Sequence, residues 1–154
     1  MMMSLSCDVI KALAGKTLVT AESCTGGGIG AALTAIPGSS AVYKGGVISY
    51  TNWVKENILE VAPDLLESCG AVSAAVAKAM AEGARRVLCA DIAVSVTGLA
   101  GPDGDDRGNP VGMVFIGYCD ARKTLAKEYH FSGDREEIRK KAVCTALQLV
   151  LNEQ

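Results

Sequence analysis

Residues 92–96 restrict the fold more than any other part of the sequence. This run, Ile-Ala-Val-Ser-Val, is apolar and rich in β-branched residues, which predicts a strand buried on both faces. A helix is predicted just before it, because Ser73 is a good N-cap and apolar residues then recur at helical spacing up to Leu88. A strand buried on both faces needs a layer of helices on each side of its sheet.

The rest of the chain alternates between short apolar runs and helical patterns. Further strands are predicted at 17–21, 46–50, 114–118 and 124–131, and further helices at 4–14, 28–36, 51–59 and 134–151, with a turn at 62–64. The last two strands are separated only by a short turn, so they form a hairpin and make the sheet mixed. No repeat or linker interrupts the pattern. We therefore expect residues 1–154 to form a single domain, a three-layer α/β/α sandwich with a mixed β-sheet.

Charge and composition exclude several classes of protein. The chain has 15 Lys and Arg against 17 Asp and Glu, without the basic excess that is typical of nucleic-acid binders. No apolar run approaches the roughly 18 residues of a membrane-spanning helix, and the N-terminus does not resemble a secretory signal. We therefore expect a cytoplasmic protein that binds neither nucleic acid nor membrane. Since Ala and Gly are abundant and aromatic residues make up only 5%, we also expect an aliphatic core and a homo-oligomer.

The six cysteines form no Cys-x-x-Cys pair, and the chain has one histidine, His130. This pattern does not predict a metal site. We interpret the cysteines as reduced and mostly as small core residues. With one remote histidine, a general-base role for His130 is the weaker hypothesis, and Trp53 is interpreted as a packed aromatic residue rather than a stacking platform.

The first candidate site is the glycine-rich segment Ser23–Gly28, between a strand and a helix. Ligands in open α/β sheets bind at such junctions, where free N–H groups and the positive end of the helix dipole meet. Ser23 there would be a nucleophile beside an oxyanion site. Three alternatives remain open: Ser23 is only an N-cap, Cys24 is the nucleophile, or the segment is a phosphate loop, although the usual Gly-Lys-Ser/Thr ending is absent.

The second candidate is the pair formed by Tyr50, at the end of a predicted strand, and Lys55, about one turn into the next helix. A lysine and a tyrosine activate a serine hydroxyl in enzymes that use no histidine. The alternative is a solvated helix lysine beside an edge aromatic residue.

The third candidate is the loop 98–112, the longest in the chain. Thr97, Gly98 and Gly101 stand where a buried strand runs into this loop, in a position to form the wall of a pocket. A simple connecting loop is the alternative. Asp105 and Asp106 form an acidic pair that would suit a cation, or that is merely solvated.

The fourth candidate is the start of the last helix. Arg135 and Arg139 are four residues apart on one helix face, and two guanidinium groups at a helix N-terminus form an anion site. Alternatively, both arginines are surface charges that bridge to Glu136 or Glu137. Asp134 and Glu137 match a capping box and are interpreted as structural.

Together these motifs resemble the CinA C-terminal domain family, which includes nicotinamide-nucleotide amidases. The resemblance covers residues 5–152 and rests on five ordered motifs: Ala21–Gly27, Gly45–Tyr50 with Lys55, Gly98–Pro102, Pro110–Gly112 and Gly133–Arg135. The sequence departs from the family at residues 105–107, Asp-Asp-Arg, where Gly-Thr-Pro is frequent.

The resemblance implies an enzyme that hydrolyses the carboxamide of nicotinamide mononucleotide (NMN) to nicotinate mononucleotide and ammonia. It implies catalysis by Ser23 with Lys55 and Tyr50, without a metal or organic cofactor. With the motif analysis above, it leads us to expect the nucleotide substrate at a further set of residues: Thr25, Gly26, Gly27, Thr97, Gly98, Gly101, Arg135 and Arg139. A non-catalytic nucleotide-binding or regulatory domain is the alternative.

Overall fold

The computed structural model describes residues 1–154, which form five strands and six α-helices. The strands are β1 (Leu18–Glu22), β2 (Tyr43–Ile48), β3 (Ile92–Gly98), β4 (Met113–Cys119) and β5 (Thr124–His130). The helices are α1 (Met2–Ala12), α2 (Gly28–Thr34), α3 (Asn52–Asn57), α4 (Pro63–Cys69), α5 (Ala74–Val87) and α6 (Arg135–Asn152), with a 3-10 turn at Ser39–Ala41. None of the helices combines the length and hydropathy that crossing a membrane requires.

The strands form one mixed sheet in the order β2-β1-β3-β4-β5. β1 is parallel to both β2 and β3, whereas β4 is antiparallel to β3 and to β5. The predicted mixed sheet and the hairpin between β4 and β5 are therefore confirmed. Because β1, β2 and β3 are parallel, their carboxyl ends lie at the same edge of the sheet.

Helices cover both faces of the sheet, so the three-layer sandwich is confirmed. On one face, α1, α2 and α6 bury aliphatic side chains such as Val9, Ile29 and Leu147 against the strands. On the other face, α4 and α5 bury Leu66 and Met80. Six of the seven residues of β3 are buried, as expected for a strand between two helical layers. The core is largely aliphatic, with Tyr118 its largest fully buried side chain.

Two predicted caps are present at helix starts. The Ser73 hydroxyl accepts the Val76 N–H at 3.2 Å, and Asp134 with Glu137 forms a reciprocal capping box at the start of α6. Such caps satisfy backbone donors that have no partner within the helix. The capping box fixes the start of α6, the helix that carries both Arg135 and Arg139.

Three local predictions are wrong. The segment predicted as a turn at 62–64 contains the start of α4, because Pro63 occupies the first helical position, where its missing N–H costs nothing. β2 begins at Tyr43 and ends at Ile48, so Tyr50 lies beyond it. All six cysteines are free, but only Cys24 and Cys119 are buried, so the cysteines are not mostly core residues.

Candidate active site

The candidate residues meet at the carboxyl ends of the three parallel strands. Ser23 directly follows β1, Ser49 directly follows β2, and Thr97 is the penultimate residue of β3. A cleft of about 680 Å³ opens at this edge of the sheet, and Ser23, Lys55 and Tyr50 all line it. Its volume and position are typical of a small-molecule site in an α/β protein.

Lys55 lies against Ser23. The Lys55 Nζ atom is 3.1 Å from Ser23 Oγ and donates a second hydrogen bond to the Ser49 carbonyl at 2.7 Å. Only 2% of Lys55 is exposed, because α3 turns this side chain towards the end of the sheet. The alternative of a solvated lysine is therefore wrong.

The environment of Lys55 favours its neutral form. No carboxylate forms an ion pair with Lys55. Burial lowers the pKa of Lys55 to about 8, and the neighbouring Cys24 opposes this shift only in part. A substantial fraction of the amine is therefore unprotonated just above neutral pH, in contact with a serine hydroxyl whose proton it can accept.

Cys24 is less suited to be the nucleophile. Burial raises the pKa of its thiol to about 11, so the thiol stays protonated at neutral pH. His130 does not serve as a base for Cys24, because its ring is hydrogen-bonded to Glu128 at 2.6 Å on β5, the strand at the far edge of the sheet. These contacts favour Ser23 over Cys24.

Tyr50 lies at the mouth of the cleft, with 58% of the residue exposed. Its hydroxyl accepts a hydrogen bond from Arg135 at 3.2 Å and makes none with Lys55. Trp53, interpreted from the sequence as packed, is 64% exposed. The reason is that Lys55, not Trp53, occupies the buried side of the short helix α3.

Arg135 and Arg139 have different partners although they lie one turn apart. Arg135 lines the cleft and also donates to the Gly101 carbonyl. Arg139 does not line the cleft; it donates instead to the carbonyls of Cys24 and Thr25. Neither forms an ion pair with Glu136 or Glu137, so the surface-bridge alternative is wrong.

The start of α2 differs from the expectation. The helix begins at Gly28, with Gly27 as its N-cap at φ 101°, so Ser23 is not an N-cap. The Glu22 carboxylate accepts the N–H groups of Ile29 and Gly30 at 2.7 and 3.0 Å. The predicted oxyanion site at this helix N-terminus is therefore already filled by a protein carboxylate.

The Thr25 side chain of the glycine loop is bonded to Glu22 rather than directed into the cleft. The Thr25 hydroxyl donates to Glu22 at 2.8 Å, and Thr25, Gly26 and Gly27 do not line the cleft. Glu22 was not identified from the sequence. An acidic residue a few positions before a helix start was the available signal, because carboxylates are stabilised at helix N-termini.

The loop 98–112 forms one wall of the cleft. Thr97, Gly98 and Gly101 line it, and the Thr97 hydroxyl donates to the Ala71 carbonyl at 2.7 Å. The carboxylate of Asp105 accepts hydrogen bonds within its own loop, from the N–H groups of Arg107 and Asn109 and from the Asn109 amide, so it shapes the loop.

Ser49 is a second residue that was not identified from the sequence. Its carbonyl binds Lys55, and its hydroxyl is buried without a hydrogen-bond partner. It occupies the same position after β2 that Ser23 occupies after β1, and its N–H donates to the Glu22 carbonyl at 2.8 Å. The predicted extension of β2 to Tyr50 concealed this equivalence.

The fold and site define an α/β protein with a buried serine–lysine pair at the carboxyl edge of its parallel strands. Residues 3–154 match the family model described as CinA C-terminal domain. The chain therefore belongs to the CinA C-terminal domain family.

Curated relatives and solved structures agree with this assignment. CinA-like proteins of Endomicrobium trichonymphae and Synechococcus sp. (strain CC9311) are 49% and 59% identical over 88% and 73% of this chain. The chain spans only 32% and 27% of the length of these relatives.

Among solved structures, the competence damage-inducible protein A (ComA) of Klebsiella pneumoniae has a TM-score of 0.96 and 38% identity, covering 99% of this chain and 96% of its own. The competence/damage inducible protein CihA of Agrobacterium tumefaciens has a TM-score of 0.94 and 41% identity, covering 98% and 95%. These similarities extend over nearly the whole of this chain and of both neighbours.

Proposed function

We propose that the chain is an amidase that hydrolyses the carboxamide of NMN, giving nicotinate mononucleotide and ammonia in pyridine-nucleotide salvage. The observation that carries the proposal is the contact between Lys55 Nζ and Ser23 Oγ at 3.1 Å. Burying a lysine without a carboxylate partner costs free energy of folding. A serine hydroxyl beside that lysine in a cleft supplies a reason to retain it, because the amine can activate the hydroxyl. Family membership and the motifs of the resemblance support the same reaction.

The reaction begins when neutral Lys55 takes the proton of the Ser23 hydroxyl. Ser23 Oγ then forms a bond to the carboxamide carbon, and the carbonyl oxygen becomes an oxyanion. When the oxyanion electrons return, the C–N bond breaks, and the leaving nitrogen departs as ammonia with the proton held by Lys55. Water repeats the sequence on the resulting ester, with Lys55 again as the base, and releases the carboxylate product and Ser23.

The substrate itself favours the reactive form of Lys55. NMN carries a cationic pyridinium ring next to its carboxamide, and a nearby positive charge lowers the pKa of an amine. Burial already lowers the pKa of Lys55 to about 8, so binding of this cation increases the neutral fraction near pH 7.

We assign the substrate phosphate to Arg135 and a role as hydrogen-bond donor to the substrate to Tyr50. Arg135 lies at the first position of α6 and lines the cleft, so its charge and the helix dipole act together on an anion. Because the Tyr50 oxygen accepts a hydrogen bond from Arg135, its own O–H is free to donate to the substrate.

Ammonia release from NMN by wild type and Ser23→Ala tests the proposal. We expect wild-type turnover and a loss of at least 1,000-fold in kcat for Ser23→Ala, with unchanged folding by circular dichroism. Ser40→Ala is the matched control, because Ser40 is exposed and precedes β2 at the opposite end of the sheet.

Two outcomes would contradict the proposal. Retention of more than a tenth of the wild-type kcat by Ser23→Ala would remove Ser23 as the nucleophile. Binding of NMN by wild type without ammonia release would instead identify the chain as a non-catalytic nucleotide-binding domain.

A further inference from the structure

Arg139 holds the loop that carries Ser23. From α6, its Nε atom donates to the Cys24 carbonyl at 3.0 Å and a terminal nitrogen donates to the Thr25 carbonyl at 3.1 Å. Arg139 itself does not line the cleft, whereas Ser23 and Cys24 do. The guanidinium therefore acts on the loop from the side that faces away from the cleft.

These two hydrogen bonds fix the direction of backbone N–H groups as well as carbonyls. In a trans peptide, the C=O of one residue and the N–H of the next point in opposite directions. Because Arg139 holds the Cys24 carbonyl, the Thr25 N–H must point away from Arg139. In the same way, holding the Thr25 carbonyl turns the Gly26 N–H away, and that group donates to the Ser23 carbonyl at 3.0 Å to close a turn.

Two N–H groups next to Ser23 have no acceptor within the chain. The amides of Cys24 and Thr25 donate no hydrogen bond, whereas the Ser23 N–H donates to Val96. The first amides of α2 are also engaged, since Glu22 accepts two of them. The Cys24 and Thr25 amides directly follow Ser23 in the chain and are therefore free to donate to an oxyanion formed there.

We propose that Arg139 is a positioning residue that aims the Thr25 N–H, beside the Cys24 N–H, at the oxyanion formed when Ser23 attacks its substrate. This inference rests on the proposed amidase function and goes beyond it. When Ser23 Oγ bonds to the carboxamide carbon, the π-electron pair moves onto oxygen, and the two amides donate to that charge. The pair returns when the C–N bond breaks, so these hydrogen bonds are strongest in the transition state.

The contact needs a guanidinium rather than any cation. The planar fork of Arg139 reaches two successive carbonyls from two of its nitrogens, which fixes the plane of each peptide. An ammonium group is a point charge and cannot hold both carbonyls in one defined geometry. Arg139→Lys therefore keeps the charge and much of the side-chain stem but removes the two-point contact with the Cys24 and Thr25 carbonyls.

The first test is steady-state kinetics with NMN. We expect Arg139→Lys to lower kcat by at least tenfold, while KM changes by less than about threefold, because ground-state binding does not use the oxyanion. Lys140→Gln is the matched control, since its exposed side chain neighbours Arg139 in sequence and pairs only with Glu136. A raised KM for NMN with unchanged kcat would overturn the proposal and return Arg139 to a phosphate-binding role.

The second test does not depend on the substrate. A fluorophosphonate probe phosphonylates an activated serine with loss of fluoride, and its phosphoryl oxygen occupies the oxyanion position during attack. We expect intact-mass measurements to show labelling of wild type at Ser23, no labelling of Ser23→Ala, and labelling at least tenfold slower in Arg139→Lys. Equal rates in wild type and Arg139→Lys, or no labelling of wild type, would overturn the proposal.

The two tests together separate the two proposals. If wild type is labelled but releases no ammonia from NMN, the amidase assignment fails. The labelling rates of wild type and Arg139→Lys then still test the role of Arg139. If Arg139→Lys does not fold, Arg139→Gln is the second variant, because its side-chain amide still reaches towards one carbonyl. A folded Arg139→Gln with wild-type labelling and kcat would overturn the role as well.

Discussion

The two ends of the sheet each bury polar side chains beside a cleft, but the hydrogen-bond partners of those side chains differ between the two ends. At the carboxyl end of the parallel strands, Lys55 is buried without a carboxylate, and the Ser49 hydroxyl has no partner. At the opposite end, beside a second cleft of about 430 Å³, the buried Tyr118 hydroxyl donates to Asp120 at 2.9 Å and accepts from Gln154 at 3.1 Å.

Ion pairing follows the same division. Beside Tyr118, Lys123 pairs with Glu153 at 2.7 Å, whereas Lys55 contacts only a hydroxyl and a carbonyl. A buried group without full compensation costs free energy of folding, and proteins retain such groups mainly where chemistry needs them. The comparison therefore supports the catalytic role proposed for the Lys55 end and favours a structural role for the Tyr118 end.

Among the variants that test this comparison, the largest effect is expected at Lys55. Lys55→Arg keeps the positive charge but cannot lose a proton at workable pH, so kcat should fall by at least 100-fold. In wild type, kcat/KM should rise with pH through about 8, because protonation of Lys55 below that value removes the base. Rate measurements from pH 6 to 10 check both expectations. An unchanged rising limb in Lys55→Arg would show that another group is the base.

Removal of the cleft arginine should affect phosphorylated substrates selectively. Arg135→Ala should raise KM for NMN by about tenfold or more, because a charge-assisted contact is worth about 1.5–3 kcal/mol. Nicotinamide riboside, which lacks the phosphate, should be a much poorer substrate of wild type and should change little with the substitution.

Arg122→Ala is the matched control for that experiment, since it removes an equal charge from an exposed residue at the other cleft. An equal change in KM for both substrates in Arg135→Ala would show that the phosphate is bound elsewhere.

The stability cost of Lys55 can be measured apart from activity. The pKa of Lys55 is about 8 in the folded protein and 10.5 as its ordinary value, so between these values the unfolded chain binds more protons. Unfolding free energy therefore rises with pH across this window and is lowest below pH 8.

Lys55→Met removes this titration, so wild type should gain about 2 kcal/mol relative to Lys55→Met between pH 7.5 and pH 10. Urea unfolding of both proteins at the two pH values provides the measurement. Parallel changes in the two proteins would mean that Lys55 has an ordinary pKa.

The sequence was sufficient for the fold because the fold depends on local patterns, whereas the pairing of Ser23 with Lys55 was implied by the family resemblance. The buried run at 92–96, the hairpin and the glycine-rich segment after β1 are all readable over a few residues. The start of β2 was missed because Lys44 and Gly45 break its apolar pattern, and α4 was missed because Pro63 is compatible with a turn and with a helix start.

The partners of the arginines could not be read from the sequence. Arg135 and Arg139 share a helix face by spacing, but their partners depend on the rotation of α6 and on where residues 24 and 101 lie in space. The engagement of Glu22 with α2 is similar, because it depends on how the loop folds back onto the carboxylate. Sequence spacing defines candidates, whereas tertiary packing decides which backbone groups they reach.

The smallest effect is expected at the Tyr118 end of the sheet, where the buried polar groups have hydrogen-bond partners. Tyr118→Phe removes a hydroxyl that bonds Asp120 and Gln154, yet both partners keep other hydrogen bonds: Asp120 accepts from the backbone of Arg122 and Lys123, and Gln154 donates to Val150. The ring stays in place, so the cost in unfolding free energy should be about 1 kcal/mol. The kcat for NMN should be unchanged, because Tyr118 lies at the end of the sheet away from Ser23. A loss of activity without a loss of stability in this variant would show that the Tyr118 end also contributes to activity.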